Sequence, residues 1–110
     1  MAVFLLLPSC WPAPSESAST LRAIAGEAHE LMSRPGSDWL ASQPAYQLPP
    51  VIAALKPDFI SVHDDGIDIV TTAFFDGGWG YYVPRSPQPS PGQLFRHRNL
   101  GHGVYWFHPY

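Results

Sequence analysis

The chain has 110 residues, enough for one helix-and-sheet core and too few for two. Only 14% of them are charged against 45% hydrophobic, so Ser, Gln, Pro, His and Tyr must cover surface that most soluble domains cover with charge. A formal net charge of -3 lacks the basic footprint of a general nucleic-acid binder, and the single cysteine, Cys10, excludes an internal disulfide or a multi-cysteine zinc site within one chain.

Met1 to Cys10 is an apolar run followed by a small residue and a cysteine. It resembles the end of a signal peptide of the kind found on small bacterial lipoproteins and secreted envelope proteins, with Leu7 and Ser9 in lipobox positions. Pro8 and the lack of Lys or Arg ahead of the run depart from that pattern. The resemblance implies cleavage before Cys10, a lipid on its thiol, and a lipid-anchored or periplasmic location; the alternative is an apolar strand or helix turn in a cytoplasmic protein. Trp11 to Ser19 is rich in Pro, Ser and Ala, the composition of an exposed tether. The chain thus divides into a signal remnant at 1–10, a tether at 11–19 and a single domain at 20–110.

From Thr20 to Arg34, Leu21, Ile24, Ala25, Ala28, Leu31 and Met32 recur at the spacing of one helical face. Ser17 or Ser19 can cap this helix, and Arg34-Pro35-Gly36 ends it. Gly26 within it suggests a close packing contact, and His29 falls off the apolar stripe. Ser37 or Asp38 opens a short turn through Trp39 and Leu40. Leu48 to Leu55, with Pro49 and Pro50 suited to a first turn, reads as a short second helix.

The period then changes to two. Phe59 to His63 and Ile67 to Phe75 flank Asp64-Asp65-Gly66, and a two- or four-residue loop puts Ile60, Val62, Ile67 and Ile69 on one face. The two-residue register sets His63 against Asp68, an ordinary surface ion pair. Phe74 to Arg85 holds Gly77, Gly78 and Gly80 among Trp79, Tyr81 and Tyr82; it reads first as a hairpin entering a third strand, Trp79 to Val83, and second as a binding lip. Pro84 to Gly92 is too rich in proline for a regular strand and reads as a surface loop. Leu94 to Arg98 and Val104 to His108 supply two more strands around Asn99 to Gly103. The predicted fold is α+β: an amphipathic N-terminal helix and a short second helix on one face of a four- or five-stranded antiparallel sheet.

No catalytic constellation stands out. His63, Asp64, Asp65, His97, His102 and His108 are of ligand type, but no helical His-Glu-x-x-His motif joins them, and no metal or other cofactor is expected. There is no Gly-x-Ser-x-Gly elbow or Walker loop. The C-terminal third is instead ring-rich and locally basic, a composition common in binding hot spots. The expectation is a non-catalytic module that binds a periplasmic or envelope protein, in the manner of an inhibitor or immunity protein, through Trp79, Tyr81, Tyr82, Arg85, Arg96 and Trp106. A glycan-binding module with Trp79 or Trp106 as stacking platform is the alternative, followed by a metal-dependent hydrolase. Nucleic acid is not an expected partner, and contact with a membrane is expected only through Cys10.

Overall fold

The computed structural model describes residues 13–34, 48–74, 77–86 and 97–108. Within them lie α1 (Ala18–Met32), α2 (Pro50–Ala54) and five strands: β1 (Phe59–Val62), β2 (Gly66–Phe74), β3 (Gly77–Pro84), β4 (His97–Gly101) and β5 (Val104–Phe107). The strands form one antiparallel sheet of order β1-β2-β3-β5-β4, and the helices pack on one of its faces. The predicted α+β architecture is therefore present, with the higher of the two strand counts. Cys10, the turn at 37–40 and the Pro-rich stretch 87–92 lie outside the described residues.

Helix α1 starts where Ser17, still extended, accepts a hydrogen bond from Thr20 N at 3.5 Å. Its stripe of Leu21, Ile24, Ala28, Leu31 and Met32 is buried against the sheet. Gly26 has no packing role: it is exposed, and a Cβ there would meet nothing within 4 Å. Helix α2 has five residues, too few to persist alone, and no side-chain cap of its own. Glu27 of α1 supplies one, its carboxylate accepting from Val51 N at 3.1 Å and Ile52 N at 2.8 Å. The segment ahead of α1 is tied down as well. Ser15 N donates to the Tyr81 hydroxyl at 2.9 Å, and Glu16 lies 3.6 Å from Arg98, so this part of the predicted tether rests on the helix side of the sheet.

Val62 pairs with Ile67, and His63 and Gly66 exchange backbone bonds of 2.9 and 3.3 Å, so only Asp64 and Asp65 remain at the tip and His63 stands across from Gly66 rather than from Asp68. Gly66 belongs to the strand because β3 leaves no room for a side chain: a Cβ would strike Val83 O and lie 2.9 Å from Tyr82 Cε1. Gly80 is covered in the same way, with Phe107 Cζ 2.7 Å from where its Cβ would stand. A bulge at Thr71 then shifts the register between β2 and β3.

Strand β3 is the centre of the sheet, and residues 78–84 are all buried. Trp79, Tyr81 and Val83 join the core beneath the helices, where Tyr81 meets Trp106 edge-on at 5.1 Å. The last hairpin is tighter than predicted. Asn99 to Gly101 belong to β4, and only His102 and Gly103 remain in the turn, with φ of 57° and 79°. Two central residues of positive φ match the twist of antiparallel strands, and His tolerates the left-handed region better than most side chains.

Candidate functional site

The strand registers also define the outer face of the sheet, on which neither described helix packs. Phe59, Val70, Gly80, Phe107 and His97 lie side by side across β1, β2, β3, β5 and β4, and Ser61, Asp68, Tyr82, Tyr105 and Asn99 form the next row. His63 follows Ser61 on β1 by two residues and so shares this face. On this face a recess of about 230 Å³ is lined by His63, Asp65, Asp68, Tyr82 and His97.

Tyr82 organises the recess. Its hydroxyl donates to the Asp65 carbonyl at 3.1 Å, while its ring lies parallel to His63 at 6.1 Å and edge-on to His97 at 5.2 Å. Burial, then the charges of Asp65 and Asp68 and the neighbouring Tyr105, push its phenol up to about 12, so it remains a neutral donor. His63 and Asp68 are diagonal rather than opposite, yet Nε2 and Oδ2 still meet at 3.1 Å. Their side chains are 38% and 34% exposed, which leaves both within reach of a solute.

Two groups in the recess are poorly compensated. Burial raises the Asp68 carboxyl above its ordinary value, against the opposing pull of the His63 charge and hydrogen bond and of His97. Burial lowers His97 below the ordinary histidine value, with Asp68 working against the shift and His108 adding to it. His97 Nδ1 is buried and has no hydrogen-bond partner among the described residues. A buried polar atom without a partner costs about 1–3 kcal/mol, which makes this patch costly to the fold.

The predicted binding residues mostly stand elsewhere. Trp79, Tyr81, Tyr82 and Trp106 are 8%, 3%, 3% and 6% exposed, so the rings proposed as an exposed lip are interior. The physical reason is position: β3 is central, its inner face lies beneath the helices, and on its outer face neighbouring rings of His63, His97 and Tyr105 shield Tyr82. Trp79 and Trp106 point toward the helices, which removes the stacking platform on which the glycan reading rested. Of the four rings, Tyr82 alone lines the recess. Arg85 is exposed but spent on backbone: Nε donates to His63 O at 3.1 Å, Nη1 to Met32 O at 3.4 Å and its amide to Asp65 O at 2.9 Å. It straps the first hairpin tip to the end of α1. Arg96 lies outside the described residues.

Sequence reasoning missed the site because its members come from the β1–β2 turn, β2, β3 and β4. The one signal was the proximity of His63 and Asp68 across the first hairpin. Among the described residues no three His, Cys, Asp or Glu side chains are grouped so as to hold a metal ion. Ser61 stands across from Asp68, and among the described residues no hydrogen bond links it to His63. The arrangement sets a carboxylate, two imidazoles and flanking rings at the mouth of a shallow recess. Compared with protein-family models, curated proteins and solved structures, the chain matches none of them.

Proposed function

We propose that the chain is a non-catalytic module that binds a protein partner, and that its contact surface is the outer face of the sheet around the His63, Asp68, Tyr82 and His97 recess. The observation that supports this reading is the registered patch itself. Phe59, Tyr105 and Phe107 are half-buried rings beside half-exposed His63 and Asp68, and the patch retains groups that burial disfavours. Rings bordering a few polar groups are the usual composition of a binding hot spot. An inhibitor or immunity protein needs such a surface and no catalytic machinery. The proposed location is the cell envelope; it rests on Met1 to Cys10, and loss of palmitate label in a Cys10→Ala protein is the expected outcome.

The test of the surface is site-specific photocrosslinking in the native cell, with the probe placed at Tyr105 on the outer face or at Arg22, exposed on α1. The expected result is a discrete adduct from position 105 that excess unlabelled wild-type protein competes away and Phe59→Ser protein does not. Equal adducts from both positions, or adducts that resist competition, would remove the outer face as the contact surface.

A further inference from the structure

Resting on that reading, we infer that the outer-face recess receives an arginine side chain of the protein partner, with its guanidinium on the Asp68 carboxylate and against the His63 ring. The first support is the inventory of the recess. Asp68 accepts one hydrogen bond among the described residues, from His63, whereas a carboxylate has about four acceptor positions and can take a guanidinium through two parallel bonds. Asp65 also lines the recess, and Asp64 stands beside it at the exposed hairpin tip. Among the described residues no Lys or Arg lines it. Arg85, the cation nearest in sequence to Tyr82, is turned away onto the His63 and Met32 carbonyls. Among the described residues the recess therefore presents the carboxylates of Asp65 and Asp68 without a lysine or arginine of its own.

Shape and accessibility select among cations. His63 is parallel to Tyr82 within 6° and its side chain is 38% exposed, a flat ring beside a carboxylate that is 34% exposed. A planar guanidinium can stack on the ring while its edge meets the carboxylate, and an ammonium, a point charge with a strong hydration shell, gains less from that shape. His97 closes the far wall of the recess. Burial raises the Asp68 carboxyl, and a guanidinium placed on it would favour its charged form. The ring-lined rows on either side suit a side chain presented by a protein surface better than a free amine.

The experiment follows the ring resonances of His63 and His97 by NMR while capped tripeptides are added: Gly-Arg-Gly, its neutral citrulline isostere, Gly-Lys-Gly and Gly-Glu-Gly, with n-butylammonium chloride as a free amine. The arginine peptide should shift both rings saturably, with affinity at least ten-fold above citrulline and above n-butylammonium. Asp68→Asn, whose amide oxygen still accepts from His63, should lower that affinity at least ten-fold with an unchanged far-ultraviolet circular dichroism spectrum. Shifts of equal size from citrulline or the glutamate peptide, no shift from the arginine peptide, or full binding by Asp68→Asn would each overturn the inference; so would n-butylammonium binding as tightly as the arginine peptide. Failure here with the crosslink at position 105 intact retires the arginine pocket alone. Saturable ring shifts without that crosslink retire the partner surface alone.

Discussion

On the helix face Ile60, Ile69, Tyr81 and Trp106 run side by side across four strands and close under α1. One residue along those strands, Ser61, Asp68, Tyr82 and Tyr105 cross the same four strands on the outer face. Both rows contain a buried tyrosine, yet Tyr81 sits among apolar side chains and Tyr82 among His63, Asp68 and His97. The comparison shows that burial alone does not distinguish core from site. The difference lies in what each ring shields: apolar area that stabilises the fold on one face, and polar groups that burden it on the other.

The largest test of that difference is paired truncation. Trp106→Ala on the helix face should cost about 3–5 kcal/mol, while Tyr105→Ala, its half-buried neighbour facing outward, should cost about 1 kcal/mol. Urea denaturation midpoints measure both, and equal losses would erase the distinction between the faces. An intermediate effect is expected at the one carboxylate that builds the helix layer. Glu27→Ala removes the cap of α2 and should cost about 1 kcal/mol, with faster hydrogen exchange at Val51 and Ile52. Loss of stability without faster exchange at those two amides would assign Glu27 another role.

The smallest effect is the dependence of stability on pH, and it should come from the outer face. His97 is held below its ordinary value of 6.5, so the unfolded chain binds its proton more readily. Its contribution is present above about pH 6.5 and is lost as pH falls toward the lower folded value. Asp68 has the opposite sign: its raised carboxyl contributes stability below the ordinary value of 3.8, which is lost as pH rises through the folded value. Melting temperature should therefore decline below about pH 6.5 in the wild type, and His97→Gln should flatten that decline. An unchanged slope in the variant would place the titrating group elsewhere.

Periodicity made much of the fold legible. The spacing of Leu21, Ile24, Ala28 and Leu31 marked α1, and the shared face of Ile60, Val62, Ile67 and Ile69 survived a register left open between two loops. The site was less legible because period two states which residues share a face but not how each face is covered. Trp79 and Tyr82 therefore looked alike in sequence, although one points under the helices and the other lines the recess. Contacts between distant segments left no local trace. Nothing in the sequence marked Glu27 as the cap of α2, and Arg85 read as a binding cation until the first hairpin was placed beside it. Strand β4 runs on to Gly101 although Asn99 to Gly103 read as a loop, because His102 accepts the backbone that a two-residue turn demands.

The hydrogen bond from Ser15 to Tyr81 gives the molecule a front and a back. The backbone enters the domain on the side of the sheet that carries α1, and the recess opens on the other. An affinity handle or fluorophore joined ahead of Ala13 would therefore be introduced behind the sheet, and a sensor chip coated through that handle should display the recess to the flowing analyte. A handle grafted at the β1–β2 tip would stand at the rim of the recess and obstruct it.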